Sequence, residues 1–230
     1  MFRSGSRSTV LALATLTLVP GVACASSIAV GGSTFNETFS FPDGTTTFHH
    51  APEEGDSHGY SVDITLDSFG DWGSITFDAQ NFSHENIAFT LNFTLPLDSA
   101  TYDEAYGSIT GNGTWSARPF AVGGASLALD AGPPRTNLGV DVSSGCTPPS
   151  GNSSFLCATA DAGAAFAPRL YNILYGSLTF SMGGSGRGVA SEANHLEWDV
   201  YFEVDPVPEP VSAPLIGGGV LALALRRRRA

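Results

Sequence analysis

Six potential ligands crowd into ten residues of this chain: His49, His50, Glu53, Glu54, Asp56 and His58. Imidazole and carboxylate suit a divalent cation, but no metal-binding spacing is met, and Pro52 and Gly55 mark a solvated loop. The reading is a polar loop, with no metal ligand assigned. Asp67 and Asp71 flank Ser68-Phe69-Gly70 and could offer oxygens to calcium. The Asp-x-Asp-x-Asp-Gly ladder is missing, so a tight turn is expected instead. Glu192, Glu197 and Glu203 raise the question of a glycosidase pair. On one strand Glu197 and Glu203 would lie about 20 Å apart at ~3.3 Å per residue, too far for either carboxylate geometry. No Gly-x-Ser-x-Gly elbow is present. No catalytic residue, cofactor or metal is therefore assigned. Trp72 and Trp115 stand beside glycine-containing segments and could be stacking platforms for sugar, whereas Trp198 is expected in the core.

The elements that would carry these residues have a period of two. Tyr60, Val62, Ile64 and Leu66 alternate with Ser61, Asp63, Thr65 and Asp67. Ile87 to Leu95 and Leu196 to Val204 alternate in the same way. Each run puts apolar side chains on one face and polar ones on the other, as a half-buried antiparallel strand requires. Shorter strands are expected at 35–41, 74–77, 106–115, 126–129, 138–142 and 170–182, with Gly, Pro, Asn and Asp between them. Residues 160–167 could form a short helix, limited by Gly163 and Pro168. The expected fold is all-β, an antiparallel two-sheet β-sandwich of jelly-roll type. Leu196–Val204 is expected to be a central strand, followed by a short linker from Asp205 to Pro210.

Both ends of the chain read as handling signals. Arg3 and Arg7 precede the ten-residue apolar run Val10–Val19, Pro20-Gly21 breaks it, and Ala23-Cys24-Ala25 fits a signal-peptidase site before Ser26. Cys24 offers a lipoprotein alternative, which Gly21 three residues earlier disfavours. At the other end come Val207-Pro208-Glu209-Pro210, an uncharged run from Val211 to Leu225, and Arg226-Arg227-Arg228-Arg229. The two prolines keep the first part extended. The 15-residue run spans roughly 22 Å as a helix, short for a ~30 Å hydrocarbon core. The arginines would stop translocation and stay cytoplasmic. Three parts follow: residues 1–25 as signal peptide, 26–205 as the body, and 206–230 as the tail.

Motif, apolar segment and basic cluster in this order resemble the PEP-CTERM sorting signal of Gram-negative bacteria. The likeness covers Val207 to Arg229 only. It implies that the chain is cargo for an exosortase-type processing enzyme, which would cut near Pro208-Glu209-Pro210. It also implies a transient stay in the inner membrane and release to the cell surface or extracellular matrix, with extracellular polysaccharide as a possible surrounding.

Export bears on two further features. Residues 26–210 hold four arginines against all 22 acidic residues, a net charge of −18, where the whole chain carries −12. No lysine occurs anywhere. Such a surface repels phosphate backbones, which excludes nucleic acid as a partner. Once Cys24 leaves with the signal, Cys146 and Cys157 are the remaining pair, separated by ten residues in a Gly/Pro/Ser-rich stretch. An exported protein is expected to join them in a disulfide. Five Asn-x-Ser/Thr sequons, at Asn36, Asn81, Asn92, Asn112 and Asn152, read as Asn/Ser/Thr richness on the polar face. The expected function is that of an exported, non-enzymatic envelope or matrix protein. A carbohydrate-binding module on the same scaffold, and a secreted hydrolase with an unrecognised site, stay open as alternatives.

Overall fold

The computed structural model describes residues 26–41, 46–52, 59–114, 122–146, 154–184 and 194–207. The strands within them are β1 (Ser26–Gly31), β2 (Asn36–Phe41), β3 (Thr47–His50), β4 (Tyr60–Phe69), β5 (Trp72–Asn81) and β6 (Ile87–Thr114). They continue with β7 (Val122–Gly132), β8 (Thr136–Ser144), β9 (Ser154–Leu156), β10 (Ala160–Met182) and β11 (Asn194–Pro206). Among the described residues there is no helix. All the pairings are antiparallel and join the strands into one sheet in the order β3-β4-β5-β11-β6-β10-β7-β8, with β1 and β2 branching from β6. The sheet is nearly closed into a barrel. The expected all-β antiparallel class is thus what the chain adopts.

Two long strands make the near-closure possible. The first part of β6 pairs with β1 and with the end of β10, and its second part pairs with β11 and with the start of β10. The pairing of β10 with β6 shifts register between Ala165 and Arg169 and again between Tyr171 and Ile173. Such irregularities bend a strand and raise its twist. Pro168 lies within the first shift, and Pro96 pairs with Ile173 at the edge of the second. A missing N–H costs least at such places.

The near-closed sheet divides into two halves around one shared interior. One half is β3-β4-β5-β11 with the second part of β6. The other is β2-β1, the first part of β6, the end of β10, β7 and β8. Phe77 of β5 meets Phe89 of β6 and Phe180 of β10 edge-on, at 5.8 and 4.8 Å between ring centres. Phe93 stacks on Phe202 at 5.1 Å, and Trp198 lies 6.1 Å from Phe180. Trp198, Phe77, Phe89, Phe93 and Phe202 are all fully buried, at roughly 1.5–3 kcal/mol of transfer free energy for each large side chain. Glycines make room for the rings. A Cβ on Gly176 would lie 1.9 Å from Phe93, and one on Gly111 would lie 2.4 Å from Trp198.

Three local expectations are corrected. Residues 160–167 are the start of β10, not a short helix. Ala160, Ala162 and Ala164 pack inward while pairing with β6 fixes the extended backbone. Sheet pairing thus overrides the helix preference of alanine. The separately expected strands at 87–95 and 106–115 are, as far as Thr114, parts of one strand, β6, and position 115 lies outside the described residues. The linker expected from Asp205 starts later, because β11 continues to Pro206 and the Val207 N–H donates to the Thr101 carbonyl at 2.7 Å. β11 itself lies between β5 and β6, the central place expected of it.

Candidate functional site

A row of exposed aromatic rings crosses the outer face of the half built from β4, β5, β11 and β6. Its origin is the turn at Gly70-Asp71, where Gly70 has φ +67°, a backbone region that glycine enters without penalty. The turn sets Phe69 opposite Trp72, and their rings stack at 4.6 Å with 25° between planes. The register of β11 and β6 extends the row. Trp72 lies 6.0 Å from Tyr201, and Tyr201 lies 6.3 Å from Tyr106. Phe69 is 58%, Trp72 40% and Tyr106 37% exposed, which is unusual for large rings on rigid strands.

Polar groups adjoin the row. The Tyr201 hydroxyl donates to Glu203 at 2.7 Å, and this bond holds the hydroxyl up at about 12. Next to Tyr201 is an open groove of about 330 Å³ lined by Ser74, Thr76, Ser108, Thr110 and Asp199. That is the low end of the range for small-molecule sites. Within it the Thr76 hydroxyl donates to Asp199 at 3.1 Å. The turn is tied to the middle of β6. The Tyr102 hydroxyl lies 2.5 Å from both the Asp71 carboxylate and the Asp98 carbonyl, and burial, then Asp71, keeps it well above its ordinary pKa.

Further along the same face two histidines meet carboxylates: His49 Nδ1 and Asp63 at 2.5 Å, His195 Nε2 and Asp78 at 2.9 Å. The hydrogen bond from His195 to Asp78 raises the His195 pKa against an opposing burial effect. Asn112 donates to Glu197 at 3.3 Å.

The structure separates several residues that lie close in sequence. His49 and His50 point to opposite faces of β3, so these two members of the ligand-rich cluster do not converge. His50 packs its ring against Phe39 and Tyr60 at 4.8 and 5.0 Å, away from the His49–Asp63 pair. Glu53, Glu54, Asp56 and His58 lie outside the described residues, as do Glu192 and Trp115. Among the described residues, no three His, Cys, Asp or Glu are grouped to hold a metal ion. Glu197 and Glu203 share the outer face of β11 with Asp199 and Tyr201 between them. Trp198 is core, as expected, and Trp72 is exposed.

Cys146 and Cys157 are joined, with Cα atoms 4.3 Å apart. The sequon at Asn81 is corrected. Its side chain is fully buried and donates to the carbonyls of Glu85 and Met182, so it does not share the exposure of Asn36 and Asn92. Of the handling signals, Ser26 opens β1 and Val207 closes the described body. Ala25, Pro208, Glu209, Pro210 and Arg226–Arg229 lie outside it.

Sequence inspection singles out only Trp72 in the aromatic row. Phe69, Tyr106 and Tyr201 are distant in sequence, and only the hairpin at Gly70-Asp71 could have flagged Phe69. No protein-family model matches the chain, and no curated protein matches it.

Proposed function

We propose that this chain is an exported, non-enzymatic protein of the cell envelope or extracellular matrix. Its Val207–Arg229 tail is read and cut by an exosortase-type enzyme after a transient stay in the inner membrane. The observation that carries this reading is the junction between body and tail. The last hydrogen bond described for the body is that of Val207, one residue before Pro208-Glu209-Pro210. The strand that leads there, β11, is paired on both sides. A cut at the motif would leave the whole described body in place, which suits a disposable sorting device. The Cys146–Cys157 bridge suits the same compartment, since disulfides persist outside the reducing cytoplasm. At finer resolution we read the fold as a jelly-roll-like sandwich, supported by the two facing halves and the ring contacts between them.

The test is fractionation of three strains. Wild-type cells should release a body lacking Leu215 to Ala230. Glu209→Ala should leave a larger, membrane-bound form. Replacing Arg226–Arg229 with serine should let the chain pass uncut. Retention of the full tail in the wild-type membrane, indifferent to Glu209, would identify a plain anchor and end the sorting reading.

A second reading, a carbohydrate-binding module on this scaffold, is favoured by the exposure of Trp72 within its aromatic row.

A further inference from the structure

We propose that the outer face of β4, β5, β11 and β6 is a binding site for a neutral glycan chain. Phe69, Trp72, Tyr201 and Tyr106 would be its stacking surface, and Thr76, Asp199, Ser74, Ser108 and Thr110 its hydroxyl partners. The proposal rests on the surface-protein reading and names what that surface contacts.

Three observations carry it. The first is the row itself. Three of the four rings stand exposed and Tyr201 half-buried between them, on paired strands, with successive planes 25°, 33° and 56° apart. The backbone beneath them is hydrogen-bonded to neighbours from β4 to β6, so little order is lost on binding. The apolar C–H face of a pyranose desolvates such rings at small cost in polar groups.

The second observation is the groove beside Tyr201. Five of the eight residues that line it carry hydroxyls, Tyr201 among them, and one carries a carboxylate. Hydroxyls both donate and accept, and a carboxylate accepts two or more bonds, which matches a polyol. Rings at one side and hydroxyl-bonding groups at the other provide for the two faces of a sugar.

Charge supplies the third. The outward positions of these strands include Asp63, Asp67, Asp78, Glu104, Glu197, Asp199 and Glu203, with no lysine or arginine among them. A uronate, sulfate or phosphate polymer would meet only like charge. A basic peptide would find carboxylates, yet two of those beside the rings already accept neutral donors, Asp199 from Thr76 and Glu203 from Tyr201. The arrangement is furnished for hydroxyl groups, and a neutral chain fits it best.

The test uses the mature, tail-free protein released by the cells. Retention would be measured on insoluble neutral β-glucan and galactomannan, on polygalacturonate, and on immobilised polylysine, each at low and high salt. Tryptophan fluorescence would be followed in parallel with soluble oligosaccharides of the neutral polymers. The expected result is retention on at least one neutral polymer, independent of salt, and none on polygalacturonate. Trp72→Ala should weaken that retention by about tenfold or more. Asp199→Ala should weaken it as well, and Thr179→Ala, on the other half of the sheet, should leave it unchanged. Trp72→Phe, which keeps a ring, should fall between and guards against loss of fold. Failure of the wild type on every neutral polymer would overturn the proposal. So would retention indifferent to Trp72 and Asp199, or binding confined to polylysine that salt abolishes. None of these outcomes bears on tail cleavage, which is read by mass and cell fraction.

Discussion

The two halves of the sheet share one inner pattern and present two different outer faces. On the half formed by β2, β1, the first part of β6, the end of β10, β7 and β8, most outward positions are small and uncharged, apart from Tyr175 and Asp130 with its Arg135 partner at one end. One row across six strands reads Thr38, Ala29, Thr90, Thr179, Ser126, Ser143. The next reads Ser40, Ser27, Asn92, Ser177, Ala128, Asp141, with a single charge. On the other half one row reads Asp63, Asp78, Glu197, Asn112. Like charges placed directly opposite each other destabilise a sheet. His49, His195 and Asn112 relieve that strain only in part. The first half folds with a sparser outward set, Asp130, Asp141 and the Tyr175 ring, so packing alone does not call for the denser set on the other half. Packing therefore dictates the inward positions, whereas the crowded outward face has no packing reason and is what the proposed glycan site would account for.

The largest expected effect breaks the part that the halves have in common. Leu91 and Val200, one in each half, are both 2% exposed. Leu91→Asp and Val200→Asp should each leave no folded protein, because an unpaired buried carboxylate costs about 4 kcal/mol or more. Asp63→Ser and Asn92→Ser, outward on the two halves, should stay within about 0.5 kcal/mol in denaturant titrations. Similar losses for inward and outward changes would remove the distinction between packing and surface.

A smaller effect sharpens the contrast between the faces. His195 has a raised pKa in the folded state, chiefly through its hydrogen bond to Asp78. Its stabilisation is therefore fully present below the unfolded value of about 6.5 and is lost as pH rises through the higher folded value. Because the pair is partly exposed, the effect should be under about 1 kcal/mol. Thermal melts across neutral pH should show it, and Asp78→Asn should flatten the dependence. A wild-type profile no steeper than that of Asp78→Asn would show that the pair does not relieve the acidic row.

How much of this was legible in the sequence depends on the range of the interaction. Local alternation shows where β4, the first part of β6 and β11 run, because Val62, Leu91 and Val200 each sit in a period-two pattern. It does not show that β6 continues past Pro96, since a proline reads as a strand break unless the partner strand has a bulge there. The Ala160–Ala167 stretch misleads for a related reason. Its composition favours helix, and only pairing with residues 104–109 decides otherwise. β1, β3 and β9 are too short for a periodic signal. The candidate site is the least legible part. Phe69 and Tyr201 are 132 positions apart, and only the register of β4, β5 and β11 brings their rings into one row.

Export of a folded, oxidised body followed by its release from the tail fixes a definite mass. Intact-mass measurement of the protein released by wild-type cells reads it. The expected chain starts at Ser26, ends before Leu215, and lacks two hydrogens through the Cys146–Cys157 bridge. A mass that includes the residues through Ala230, or two thiols that alkylate without reductant, would contradict it.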